Sequence, residues 1–284
     1  MVAKVIDGVA LARSVRADYR QRVERLAAQG IHPGLAVILV GDDPPSQVYV
    51  RNKIRACAEA GLHSEVYRFA PDADEEEVLA AIGRLNADPN IHGILVQLPL
   101  PPDFHLRRIL ETISREKDVD GFHLYNVGSL IVGDTVFPPC TPFGVQRMLE
   151  SENIPIEGQN VVVVGASNIV GKPMAMMLMQ REATVAICHA KTRDLAQFTL
   201  LADILIVAAG KPNLILAPMV KTGATVIDVG INRLPDGRLV GDVDFENVAK
   251  KAAYITKVPG GVGPMTVTML VCNTVHAAER ALER

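Results

Sequence analysis

Short continuous apolar runs recur along this chain, separated by helical patterns, and that alternation restricts it to an α/β fold with parallel strands. The runs lie at residues 35–40, 92–98, 161–164, 184–188, 204–207, 224–229 and 254–258, with a further strand near 65–69. A run apolar on both faces suits a strand covered by helices on either side. Helix signals fill the gaps. Residues 9–29 read as a first helix stopped by Gly30, and Ser46 as the N-cap of a second that runs to Ala60 and stops at Gly61. Asp74 and three successive glutamates open a third, where the helix dipole favours negative charge. Pro99-Leu100-Pro101-Pro102 must be loop. Pro138-Pro139-Cys140-Thr141-Pro142 interrupts the series, with Thr141 placed to cap the next helix and Pro142 in its first turn. The loop Pro259-Gly260-Gly261-Val262-Gly263-Pro264 leads into a terminal helix from Thr266. The expected architecture is two α/β lobes, residues 1–140 and 141–265, with a cleft between them.

Composition excludes several functions. With 284 residues, 49% of them hydrophobic, the chain can bury a substantial core. Its 29 basic and 32 acidic residues leave a net charge of −3, which argues against a surface built for nucleic acid. Aromatics make up 4% and Trp is absent, so base-stacking platforms are not expected. Cys57, Cys140, Cys188 and Cys272 are too widely spaced for a metal knuckle, and the seven histidines show no ligand spacing. Buried, reduced thiols are the simpler reading. The segment after Met1 lacks the apolar run of a signal peptide, and no uncharged apolar stretch reaches the ~18 residues that span a bilayer. A soluble cytoplasmic protein with no metal and no membrane partner is expected.

Gly165-Ala166-Ser167-Asn168-Ile169-Val170-Gly171-Lys172-Pro173 lies between a strand and a helix, the setting of a dinucleotide-binding turn. A glycine there permits a tight turn, and the helix N-terminus offers free N–H groups to a pyrophosphate. The spacing departs from G-x-G-x-x-G, since Ser167 holds the second glycine position and Gly171 comes one residue late. An ordinary strand-to-helix turn would look similar. The C-terminal lobe is therefore expected to be a Rossmann-type domain. After the next strand, Ile187-Cys188-His189-Ala190-Lys191-Thr192-Arg193 has two fixed cations and no carboxylate before Asp194. An NAD site commonly places an acidic side chain on the ribose hydroxyl, whereas cations attract a 2′-phosphate. NADP is favoured over NAD, although Lys191 and Arg193 would also fit a solvated surface.

In the first lobe, Tyr49 and Lys53 are four residues apart on one helix face, and Cys57 continues the stripe. Short-chain dehydrogenases have a helical Tyr-x-x-x-Lys, but after their glycine loop rather than before it. Lys53 alone would read as a solvated lysine. Gln97 ends an apolar strand, at the edge of an open sheet where ligands bind. Asp118-Val119-Asp120-Gly121 alone is a tight turn.

Five segments taken together carry more. Tyr49-Val50-Arg51-Asn52-Lys53, Gly93-Ile94-Leu95-Val96-Gln97-Leu98-Pro99-Leu100-Pro101, Lys117-Asp118-Val119-Asp120-Gly121, the turn Gly165 to Pro173, and Pro259 through Met265-Thr266 stand in an order and spacing that resembles the bifunctional methylenetetrahydrofolate dehydrogenase/methenyltetrahydrofolate cyclohydrolase family over about residues 5–280. The resemblance implies NADP-dependent oxidation of 5,10-methylenetetrahydrofolate and hydrolysis of the methenyl product to 10-formyltetrahydrofolate. That chemistry supplies one-carbon units to purine and methionine synthesis. It implies a homodimer, a tetrahydrofolate-binding first lobe, and a helix over 266–284 that returns to that lobe.

The same resemblance assigns roles. Lys53 is the key catalytic residue, Tyr49 packs near the pterin, Gln97 hydrogen-bonds Lys53, and Asp120 accepts from the pterin ring. Leu98, Pro259, Gly260 and Gly261 line the substrate; Gly165, Ala166, Ser167, Ile169, Ala190 and Ile231 contact the cofactor. Many members carry Arg at the position of Ala166 and Ser at that of Ala190, so here the 2′-phosphate falls to Lys191 or Arg193. Two alternatives stand beside this reading: a two-lobe dehydrogenase of shikimate type, and a catalytically idle folate-binding protein.

Overall fold

The computed structural model describes residues 2–282. Met1 of the expected first lobe, and residues 283 and 284 of the expected closing helix, lie outside the described residues. In chain order the elements are β1 (Lys4–Ile6), α1 (Gly8–Ala27), β2 (Gly34–Val40), α2 (Pro44–Ala60), β3 (His63–Phe69), α3 (Glu75–Ala87), β4 (Gly93–Val96), α4 (Leu106–Thr112) and α5 (Leu124–Val132). They continue with α6 (Cys140–Ser151), β5 (Asn160–Val164), α7 (Gly171–Met179), β6 (Thr184–Cys188), α8 (Leu195–Thr199), β7 (Ile204–Val207), β8 (Thr225–Asp228), β9 (Asn232–Arg233), β10 (Leu239–Val240), α9 (Phe245–Val248), β11 (Tyr254–Thr256) and α10 (Val262–Leu282).

Two compact units result, one of Met1–Ala12 with Thr141–Thr266, the other of Arg13–Cys140 with Val267–Arg284. The second is built on a three-stranded parallel sheet, β3-β2-β4. β2 is buried at every position, as its unbroken apolar run requires. Ile38 and Val40 from β2 meet Val78 and Ile82 from α3 and Ile109 from α4 in one core. The cap of α2 differs from the sequence reading. Asp43, not Ser46, is the N-cap; its carboxylate accepts from Ser46 N at 2.9 Å, while Pro44 and Pro45 fill first-turn positions that need no N–H. A carboxylate is also the better partner for the positive helix end. α3 is capped by Asp74, and α2 stops at Gly61 with φ +80°. β4 ends at Val96, two residues short of the expected strand, although Gln97 N still donates to Ile38 O at 2.8 Å.

The other unit is a six-stranded parallel sheet in the order β1-β11-β8-β7-β5-β6. Val162, Val164, Leu205, Val207, Val226 and Ile255 form its core. Here the expected lobe boundary is corrected. Residues 2–12 belong to this unit, because Lys4, Val5 and Ile6 pair in register with Tyr254, Ile255 and Thr256. A three-residue strand carries no periodicity of its own, and its partner lies some 250 residues away. The expected helix cap at Thr141 is likewise absent: α6 starts at Cys140, and the Thr141 hydroxyl sits 3.0 Å from that of Thr266. α10 begins at Val262 rather than Thr266, since Pro264 falls in its first turn, where proline is tolerated. Among the described residues no helix is long and apolar enough to cross a membrane.

Candidate active site

In the three-stranded unit, α2 carries Tyr49, Lys53 and Cys57 on one stripe. Lys53 Nζ donates to Gln97 Oε1 at 2.9 Å. Gln97 follows β4 and is buried; its own amide N–H donates to Leu98 O at 2.7 Å, which turns the amide oxygen toward the lysine. The amine thus meets a neutral acceptor. Burial lowers the Lys53 pKa from the ordinary lysine value, while the carboxylate of Asp120 pulls the other way. Burial raises the Asp120 carboxyl above the usual aspartate value, with the charge of Lys53 opposing. The buried Cys57 thiol is pushed up to about 12 by the same desolvation and stays un-ionised. Tyr49 is partly exposed one turn away.

The segment that presents Asp120 is held on two sides. Buried Asp118 accepts from Phe122 N, from His123 N at 2.8 Å and from Asn126 Nδ2 at 2.7 Å. Asn273, on α10, donates to Val119 O at 2.8 Å and to Pro138 O at 3.0 Å, and the Cys140 thiol donates to Val119 O at 3.4 Å. Sequence reading missed Asn273: a lone amide in an apolar helix is visible, but the carbonyls it serves are far away in sequence. All four cysteines are buried and none is in a disulfide.

In the six-stranded unit, the other singled-out residues follow the carboxyl ends of strands, where open α/β sheets bind ligands. Gly165 follows β5 with φ +122°, and a Cβ there would lie 2.1 Å from Ala208 O. A Cβ on Gly171 would lie 1.9 Å from Gly165 O. No residue other than glycine fits either position, so the late glycine closes the turn as well as a motif glycine would. Ser167 Oγ accepts from Val170 N at 3.1 Å and Gly171 N at 3.4 Å at the start of α7. Ala166 borders the turn and Ile169 is exposed beside it. The turn fits a pyrophosphate: close-packed glycine backbone at both ends, leading into a helix N-terminus.

Ala190, Lys191 and Arg193 are exposed after β6, on a turn closed by Thr192 N to His189 O at 2.9 Å. Asp194, the nearest carboxylate, caps α8 by accepting from Gln197 N. Ile231 is exposed after β8. Pro259, Gly260 and Gly261 follow β11, with Gly260 at φ +103°. This loop abuts the start of α1 so closely that a Cβ on Gly8 would lie 1.8 Å from Gly261 O. Among the described residues no group of three or more His, Cys, Asp or Glu could hold a metal ion.

Comparison with known proteins covers both units. Residues 6–120 match the family described as tetrahydrofolate dehydrogenase/cyclohydrolase, catalytic domain, and residues 139–282 match its NAD(P)-binding domain. The bifunctional protein FolD of Nitrosospira multiformis is 64% identical over all of this chain and 99% of its own length. The crystal structure of the FolD methylenetetrahydrofolate dehydrogenase/cyclohydrolase from Campylobacter jejuni is 52% identical with a TM-score of 0.97, over 98% of this chain and 99% of that one. That of the Trypanosoma brucei enzyme, complexed with NADP cofactor and inhibitor, is 38% identical with a TM-score of 0.96 over the whole of both chains.

Proposed function

The chain belongs to the tetrahydrofolate dehydrogenase/cyclohydrolase family, and from that premise we propose that it oxidises 5,10-methylenetetrahydrofolate with NADP and hydrolyses the 5,10-methenyl product to 10-formyltetrahydrofolate. The observation that carries this is the Lys53–Gln97 hydrogen bond beside Asp120, in the chain that also carries the two steric glycines of the dinucleotide turn. An idle folate binder would not need a desolvated amine, and a shikimate-type enzyme would match neither family model.

Bound NADP supplies the hydride acceptor. Gly165, Ala166, Ser167 and Ile169 would hold its pyrophosphate side, Ala190, Lys191 and Arg193 its 2′-phosphate, and Ile231 the nicotinamide half. The exposed cations Lys191 and Arg193, on a turn whose following carboxylate Asp194 serves as a helix cap, support NADP over NAD. Asp120 accepts the N–H groups of the pterin, a pairing that suits two carboxylate oxygens. Tyr49 and Leu98 pack against the ring system, and Pro259, Gly260 and Gly261 let backbone approach a flat ligand closely. Hydride leaves the methylene bridge as its nitrogens take up the positive charge, so alignment is the protein's main task.

Hydrolysis then needs a base. Lys53 in its neutral form takes a proton from the water adding to the methenyl carbon and passes it to N5 as the C–N5 bond breaks, while the remaining hydroxyl proton of the adduct leaves to solvent as the formyl C=O forms. Desolvation favours the neutral amine, and a cationic substrate favours it further. Gln97 orients the amine without adding charge.

A homodimer is also proposed. β6 is an edge strand, and Ile187 on it is exposed, as are Phe198 and Leu201 nearby in sequence. Four buried reduced thiols support a cytoplasmic setting. The test is a paired assay of 5,10-methylenetetrahydrofolate with NADP and with NAD, followed by acid trapping of the methenyl product. Reduction of NADP in preference to NAD, with 10-formyl product accumulating, is expected. No substrate-dependent nicotinamide reduction would overturn the reading. Light scattering after size exclusion checks the dimer.

A further inference from the structure

Two carboxylates that the proposed mechanism does not use lie inside the six-stranded unit. Asp228 closes β8 at 3% exposure, and Asp242, just after β10, is at 0%. Their charge is met by backbone N–H groups. Asp242 accepts three consecutive ones from the loop after β7, Ala209 N at 2.7 Å and Gly210 N and Lys211 N at 2.8 Å, and also Asn232 Nδ2 at 2.8 Å. Asp228 accepts from Gly230 N, Asp242 N and Val243 N, each at 3.0 Å. Two glycines make room. A Cβ on Gly230 would lie 2.2 Å from the Asp242 carboxylate, and one on Gly241 would lie 1.8 Å from Asp228 Oδ2.

Burying a carboxylate is costly, and apolar residues would often serve stability as well. The pair holds something more particular. Ala208 O stands where a Gly165 Cβ would go, so the loop that Asp242 ties down forms the back wall of the dinucleotide turn. The segment of Gly230 and Asn232, tied to the same carboxylate, carries the exposed Ile231 between them. One buried anion therefore fixes two neighbouring loops on the carboxyl edge of the sheet. Without it, three converging N–H dipoles would face one another with nothing to accept them.

We propose that Asp242 is a positioning residue for the dinucleotide, setting the loops 208–211 and 230–232 at the spacing the nicotinamide half requires without touching the cofactor itself. This rests on the NADP reading above. Asp242 collects donors only, so an amide there would turn its own N–H groups toward N–H groups.

The test uses the intact chain with Asp242→Asn and, as a milder variant, Asn232→Ala. NADP affinity is read by titration calorimetry, KM for NADP and for folate separately, and amide exchange at Ala209, Gly210 and Lys211. Cyclohydrolase turnover, which consumes no cofactor, is the internal control. Asp242→Asn is expected to weaken NADP at least tenfold and to speed exchange at the three amides, with folate KM and cyclohydrolase rate within twofold of wild type. Asn232→Ala is expected to weaken NADP severalfold, and it decides the matter alone if Asp242→Asn fails to fold. Unchanged NADP affinity in a folded variant, or equal loss of both activities in Asn232→Ala, would overturn the inference. A wild-type chain that binds no NADP would instead count against the function proposed above.

Discussion

Lys53 Nζ and Gln97 Oε1 stand 2.9 Å apart, an amine held by a neutral acceptor where an ion pair would be the commoner arrangement. A neutral partner does not stabilise the ammonium as a carboxylate would, so the lysine keeps access to its basic form. Replacement by Met should therefore remove cyclohydrolase activity, by the ~10²–10⁴-fold that a positioned base contributes. The melting temperature should fall modestly, because buried Gln97 Oε1 loses its donor and the buried Asp120 carboxyl loses the opposing charge of Lys53, so activity is compared per folded molecule. Full turnover by Lys53→Met would take the residue out of the mechanism.

The same pair sets a pH limb. Burial holds the Lys53 pKa below the ordinary 10.5, so the rate of methenyl hydrolysis should rise through an apparent pKa below that value. Gln97→Glu sets a carboxylate beside the amine, which should move the limb toward higher pH. Each pH step of one that the limb moves should cost about a tenfold loss of rate at neutral pH. An unmoved limb in that variant would show that another group titrates.

Gly165→Ala should cost about 2–4 kcal/mol, because a Cβ 2.1 Å from Ala208 O must displace backbone and φ +122° disfavours alanine. Denaturant titration measures the loss. NADP binding should fall with it, while Lys53 chemistry per folded molecule persists.

Lys191→Ala and Arg193→Ala should separate the two nicotinamide cofactors. A charge-assisted contact to the 2′-phosphate is worth about 1.5–3 kcal/mol, so losing the true partner should weaken NADP tenfold or more and leave NAD unaffected. Equal effects on both would place the 2′-phosphate elsewhere.

Burial raises the Asp228 carboxyl to about 6, with the nearby Asp242 charge acting the same way and backbone N–H groups opposing. A carboxyl with a raised folded pKa favours the protonated native state. Its contribution to stability is full below the unfolded value near 4 and is lost as pH rises through 6. Wild type should thus lose on the order of 2 kcal/mol relative to Asp228→Asn between pH 4 and pH 7. Chemical denaturation of both across that range, with parallel curves, would refute it.

Local pattern made much of the site readable. The run at β2, the strand-turn-helix context of Gly165, and the four-residue step from Tyr49 to Lys53 are all short-range signals. The acceptor for the lysine is 44 residues away, and only a resemblance of ordered segments could pair it with Gln97 in advance. Asp43 and Ser46 lie three apart, and either type can cap; the backbone path through two prolines chose between them. Asp242 looks like any loop aspartate until the loop it bonds is brought beside it.

The main strand runs, their parallel sense, several helix limits and the strand-turn-helix setting of Gly165 follow from residues taken a few at a time, because hydrophobic period, helix signals and glycine freedom act over one or two turns of chain. Which sheet Lys4–Ile6 would join, which carboxylates would lose their water, and which amides would converge on Asp242 were settled only on folding. Desolvation and register depend on partners distant along the chain, and no local pattern encodes a neighbour that sequence distance conceals.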